Sequence, residues 1–271
     1  MKTDICRCEH VSPQCRTRTA SVSTAFLRTA SLCIAVACLL LPSVAGAEHP
    51  VLNLLRTSPE VHSAVVAVEP VGENVIVHLQ DWHWVPSAWF QAEGGDPAEY
   101  IAFLRGVEAV QAEQYSLLKR LVAAGHGTVF RESLTPDVEP DFRKMCSQLW
   151  RRRRRMPNDV EQLFVSPNVL TVGTPGRLLA EGLVDRVRAA DDDDSLALTS
   201  PFDAAGQLRV VPADSLEKRE DHVVRQMVGV DGVSILVFGG AHDFAENVRR
   251  VGQGKTGLIV VTTKRYRRVA E

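Results

Sequence analysis

Beyond residue 38 the chain has almost no cysteine. Five of its six cysteines, Cys6, Cys8, Cys15, Cys33 and Cys38, come first, and Cys146 stands alone after them. One thiol cannot close an intramolecular disulfide, so the rest of the chain depends on a hydrophobic core. Also missing is a long apolar run. The longest, residues 32–41, has ten residues, about half of what a membrane-spanning helix needs. No G-x-S-x-G is present, which leaves a serine-hydrolase elbow without support. Gly252-Gln253-Gly254-Lys255-Thr256 ends like a phosphate-binding loop, but Arg249 occupies the position of its first glycine, and nucleotide binding is set aside. Asp191 to Asp194 form an acidic run without the spacing or distal Glu of an EF-hand; it reads as solvated. Arg151 to Arg155 read as an exposed basic loop or helix end. Cys146 has no context marking it as a nucleophile.

Nor is there a charge excess, with 31 basic against 33 acidic residues. Residues 1–47 hold five of the basic residues and two of the acidic ones, leaving 26 against 31, or −5, for the remainder. No nucleic-acid partner is implied for the domain as a whole.

The first 47 residues differ from the rest. A basic region with Arg7, Arg16, Arg18 and Arg28 precedes the short apolar run, and Ala45-Gly46-Ala47 offers small residues at −3 and −1. This order reads as a signal peptide over 1–47 and predicts export to the periplasm or the extracellular space. Its basic region is longer than usual for such a leader, which is compatible with a start downstream of Met1. A lipoprotein anchored at Cys38 fits less well, because Leu39-Leu40-Leu41 would follow it. The metal-like spacing of Cys6, Cys8, His10 and Cys15 falls in this leader. No stable membrane span is expected after it.

Residues 48–70 read as a lead-in with turn signals at Ser58-Pro59 and Glu69-Pro70. Residues 71–271 read as one α/β domain of three layers, a central, largely parallel sheet flanked by helices. Strands are expected at 75–79, 128–131, 233–238 and 258–263. A helix is expected from Asp96-Pro97-Ala98-Glu99, with Asp96 as cap, to Gly125. Others are expected at 177–188, 216–228 and 243–251, and residues 264–268 read as a basic tail. The order strand, long helix, strand predicts a parallel pair with a right-handed crossover. Residues 136–214 are otherwise unassigned.

Ligands in open α/β sheets bind at the carboxyl ends of strands. Three apolar strands here end in polar residues: Gln80-Asp81-Trp82-His83, Arg131-Glu132, and Gly239-Gly240-Ala241-His242-Asp243. If the strands are neighbours, His83, Glu132 and His242 converge. His78 and Gln80 share strand parity and are candidate supports. Gly239-Gly240 permits positive φ and close approach. The following helix offers free N–H groups to an anion, with Asp243 as a possible cap.

These three strand ends, with Gly176-Arg177-Leu178-Leu179-Ala180-Glu181-Gly182, resemble the TraB/TIKI–ChaN–erythromycin-esterase superfamily over roughly residues 71–263. Asp81 stands where many members have Glu, and the glycine of their first motif is absent. The resemblance implies an α/β fold with a largely parallel sheet. It also implies divided chemistry: metal-dependent proteolysis, lactone hydrolysis or haem binding.

The leading expectation is a secreted hydrolase, peptidase- or esterase-like, acting on a small molecule or peptide. In a metal version His83, Glu132 and His242 hold zinc, manganese or iron, which activates water. In a metal-free version a histidine is the general base, Glu132 orients it or shares the proton work, and Arg131 stabilises developing negative charge. Asp81 tunes a histidine in either. The alternatives are a haem or iron binder, with Trp82, Trp84, Trp89 and Phe90 as an apolar wall and His83 as axial ligand, and a non-catalytic scaffold of the same fold.

Overall fold

The computed structural model describes residues 49–271 except 72, 93, 156–158 and 202–208, with backbone alone for Ala92 and 159–168. The leader read at 1–47 and the alternative anchor Cys38 lie outside the described residues. The described part belongs to one compact unit, Ala47–Glu271.

Among the described residues, six strands form one sheet in the order β1-β6-β2-β5-β3-β4. They are β1 (Val61–Val68), β2 (Asn74–Asp81), β3 (Thr128–Arg131), β4 (Val187–Ala189), β5 (Val233–Gly239) and β6 (Thr256–Thr263). β6, β2, β5, β3 and β4 run parallel, and β1 pairs antiparallel with β6 at the edge. All seven residues of β5 are buried. A near-continuous apolar run such as Val233-Ser234-Ile235-Leu236-Val237-Phe238 suits a strand covered on both faces.

Strand parity splits the core in two. On one face Val75, Val77, Leu79, Ile235 and Val237 pack beneath α1 (Pro50–Thr57), α3 (Tyr100–Ala123), α4 (Glu139–Arg153) and α5 (Asp159–Ala180). On the other Ile76, Leu236 and Phe238 meet Val223, Val224 and Met227 of α7 (Ala213–Val228) and Val248 of α8 (Ala245–Gly252). The remaining helices are α2 (Ser87–Ala92), α6 (Asp193–Thr199) and α9 (Lys264–Ala270). No helix among the described residues is long and apolar enough to cross a membrane.

The architecture is the expected α/β sheet between helices, with several local differences. The segment expected as a lead-in carries α1 and β1, and β1 adds an edge to the sheet. β2 and β3 are parallel but not paired, because β5 lies between them. The long helix starts at Tyr100 rather than at Asp96; Asp96 instead closes a turn by accepting from the Ala98 N–H. The helix expected over 177–188 ends at Ala180, and β4 follows. The basic tail is the helix α9.

Candidate active site

The insertion of β5 between β2 and β3 is what gathers the polar strand ends. Asp81 lies level with Gly239, and Arg131 with Val237. His83 follows β2, Glu132 follows β3, and both meet at Gly239. Glu132 Oε2 accepts from the Gly239 N–H at 2.7 Å and lies 2.6 Å from His83 Nε2. The other ring nitrogen, His83 Nδ1, is 3.3 Å from Asp81 Oδ2.

Asp81 is held in turn. Its Oδ1 accepts from Gln114 Nε2 at 2.9 Å, and Gln114 Oε1 accepts from the Thr174 hydroxyl at 3.1 Å. Gln114, on α3, is fully buried. Its amide is saturated by these bonds and one to the Gln80 carbonyl, which is what burial of an amide requires.

On the far side of Glu132 stands Arg219 of α7. Its Nη2 donates to Glu132 Oε1 at 3.0 Å, and its Nε and Nη2 donate to the two oxygens of Asp191 at 2.7 and 2.9 Å. The Asp191 side chain is fully buried and also accepts from the Ser133 N–H. The guanidinium therefore bridges two carboxylates in the forked geometry that Arg favours. Asp191 corrects the expectation of a solvated acidic run: only its successors are free of the core, Asp192 capping α6 through the Ser195 N–H.

These contacts set the charges. Burial alone would lower the His83 pKa, but the Glu132 and Asp81 carboxylates outweigh it and raise the value to about 10. His83 is thus an imidazolium at neutral pH, with 41% of its side chain open to solvent. Burial opposes ionisation of Glu132, yet His83 and Arg219 hold its pKa far below the ordinary carboxylate range. His78 behaves in the opposite way. Complete burial lowers its pKa to about 4, so it is neutral, and its Nε2 bonds to the Phe238 carbonyl at 3.2 Å. It is a strut between β2 and β5. Gln80 is another, donating to the Gly240 carbonyl and accepting from the Thr262 hydroxyl.

His242 lies on the other side of Gly239. Its Nδ1 is 2.8 Å from Glu220 Oε1 on α7. A carboxylate there favours the tautomer with the proton on Nδ1 and leaves the Nε2 lone pair outward. Nε2 has no hydrogen-bond partner among the described residues.

Gly239 and Gly240 do not use positive φ; their role is close approach. A Cβ on Gly239 would stand 2.6 Å from His83 Nε2 and 3.4 Å from His242 Cδ2, and one on Gly240 would strike the Tyr266 hydroxyl. Gly239→Ala is expected to cost about 2 kcal/mol through this overlap and to push His83 off Glu132. Its imidazole should then titrate well below pH 10, which side-chain NMR checks.

The remaining expected residues sit elsewhere. Arg131 shares its face with Val129, donates to the Thr171 carbonyl and lies over the Phe142 ring at 5.3 Å. The guanidinium that meets Glu132 directly is Arg219. Asp243 accepts from the Ala245 N–H and acts as a turn cap before α8. The N–H groups of Gly239, Gly240, His242 and Ala245 are committed within the protein. Trp82 and Trp84 pack with Tyr100 and Phe103 against Leu104, Val107 and Leu170.

The donor set also bears on metal and haem. Both His83 nitrogens face carboxylates and Glu132 already receives three donors; of the ring nitrogens of His83 and His242, Nε2 of His242 is the one without a partner among the described residues. Among the described residues no three His, Cys, Asp or Glu side chains are grouped to hold a metal ion. As arranged, His83, Glu132 and His242 do not fit a metal, nor does a doubly paired His83 fit an axial haem ligand. Cys146 is buried, which pushes its thiol up to about 12 and keeps it unreactive.

Sequence reasoning missed Arg219, Glu220, Gln114 and Asp191. A comparison with models of known protein families finds no match, and neither do comparisons with curated proteins and with solved structures.

Proposed function

We propose that the protein is an exported hydrolase of ester- or amide-type carbonyl bonds that works by paired acid and base histidines. The observation that carries this reading is the contrast between the two rings at Gly239. His83 has both nitrogens on carboxylates, whereas His242 has one nitrogen on Glu220 and the other without a partner among the described residues.

In this reading His242 Nε2 takes a proton from water as its oxygen attacks the carbonyl carbon. The charge on the His83 ring stabilises the oxygen that gains negative charge, and its Nδ1–H, whose contact with Asp81 is the longer of the two at 3.3 Å, leaves Asp81 to give its proton to the leaving group as the carbon–heteroatom bond breaks. Solvent then carries the proton from His242 back to His83. Arg219 stabilises Glu132 as a carboxylate, so that Glu132 keeps His83 charged rather than taking its proton. The leader-like residues 1–47 support export, and the strand-end pattern resembling the TraB/TIKI–ChaN–erythromycin-esterase superfamily supports hydrolysis.

The test is hydrolysis of p-nitrophenyl esters and p-nitroanilide peptides before and after exhaustive chelation. The expected result is turnover that survives chelation. Activity lost on chelation and restored by zinc, manganese or iron would contradict the metal-free route, and no turnover across the panel would contradict hydrolysis.

A further inference from the structure

A second cavity lies between α3, α4 and α5. Its volume is about 490 Å³, and none of the residues of the His83–Glu132–His242 site lines it. The size is that of pockets for small organic ligands. α5 breaks at Gly173, where φ is 61° and ψ is −167°, so the helix turns aside along this wall.

The lining has an unusual charge balance. Three guanidiniums, Arg153, Arg154 and Arg177, face two carboxylates, Glu108 and Glu181. Arg153 is paired with Glu108. Glu181 is shared: Arg177 approaches it at 3.2 Å, Arg154 at 3.5 Å, and it also accepts from the Tyr115 hydroxyl. Among the described residues one positive charge is therefore left without its own partner. Arg154 is the loosest, with its side chain 68% exposed.

The wall is also flat and stiff. Arg177 lies over the Tyr115 ring at 3.5 Å and over Trp150 at 5.1 Å, and Arg153 lies 5.5 Å from Trp150. Guanidinium and indole planes of this kind stack on planar π systems. A guanidinium pinned between rings also loses little freedom when a ligand binds.

We infer that this cavity is a binding site for a planar organic monoanion, an aromatic carboxylate in chemical class. The single uncompensated charge sets the ligand charge, and Trp150 with its stacked guanidiniums sets the flat shape. The ligand carboxylate pairs with Arg154 and Arg177 in place of their shared hold on Glu181. Thr174 lines the same cavity and donates to Gln114, so an occupant stands two hydrogen bonds from Asp81.

The test is calorimetric titration of the folded protein with 1-naphthoate and with its neutral isostere, 1-naphthamide. The expected result is one saturable site for 1-naphthoate, with the amide weaker by about tenfold or more, the size of a charge-assisted hydrogen bond. Arg154→Gln should weaken 1-naphthoate by about the same factor, because its exposed side chain can be replaced without disturbing the fold. Glu181→Gln should act oppositely and tighten it, since a competing carboxylate is gone. Equal affinity for acid and amide, absence of saturable binding, or an Arg154→Gln variant that binds like the parent would overturn the assignment.

Discussion

Arg219→Ala is expected to destabilise the protein by about 4 kcal/mol and to lower its melting temperature by about 12 °C. Arg219 is 7% exposed, and it bridges Asp191, whose side chain is fully buried, and Glu132, whose side chain is 11% exposed. Removing it leaves two carboxylates in the interior with no guanidinium, and the loss is mainly their uncompensated desolvation. The pKa of Arg219 says the same: burial opposes its charge, but Asp191 and Glu132 raise the value above that of a free guanidinium. Arg219→Lys keeps a cation but loses the fork, so its cost should be about half. Adding Asp191→Ala to Arg219→Ala should cost less than the sum of the two, as for residues in one network. Denaturant melts of wild type, the three single variants and the double variant measure this. A loss under about 1 kcal/mol for Arg219→Ala would show that the carboxylates are solvated rather than held by Arg219.

His242→Ala is expected to lower kcat/KM for a p-nitrophenyl ester by about a thousandfold, the usual contribution of a positioned general base. The fold should survive, since the ring is held by Glu220, by an edge contact with Phe238 at 4.8 Å and by a stacked contact with Phe244 at 6.0 Å between centroids, all at the rim of the sheet. Glu220→Gln should lower the rate less, because an amide still accepts from Nδ1–H but no longer stabilises the charged ring. The pH profile separates the two histidines. An acid must be protonated to act, so activity that depends on His83 holds below its pKa and is lost as pH rises through about 10. That alkaline limb should persist in the residual activity of His242→Ala and vanish with His83→Ala. Equal rates for His242→Ala and wild type would remove His242 from the chemistry.

The residues at the ends of β2, β3 and β5 were legible because each breaks an apolar run. Glu132 directly follows Val129-Phe130-Arg131, and a charge has no inexpensive place inside a parallel strand. What could not be read was the order of the strands, and with it the fact that Gly239 is the meeting point. The partners on helices were hidden for a different reason. Arg219 lies four residues before Val223, on the buried stripe of α7, and Gln114 sits between Val110 and Leu117 on that of α3. Each polar residue on an apolar stripe was a signal, but its partner is tens of residues away in sequence. Asp191 follows the buried Ala189 and Ala190, yet the three aspartates after it made the run look solvated. β4, with three residues, is too short to show a period. β1 is hidden because turn signals at Ser58-Pro59 and Glu69-Pro70 flank its eight residues closely on both sides.

The chemistry rests on His83 as a cation held between Asp81 and Glu132, with His78 neutral and buried. Long-range proton–nitrogen NMR of the histidine rings, followed from pH 4 to 11 and assigned with His83→Gln and His78→Gln, tests it directly. The expected result is a His83 midpoint near 10 and a His78 ring that stays neutral down to about 4. A His83 midpoint at or below the ordinary imidazole value of 6.5 would contradict it, because an uncharged His83 could serve neither as the acid nor as the partner that keeps Glu132 ionised.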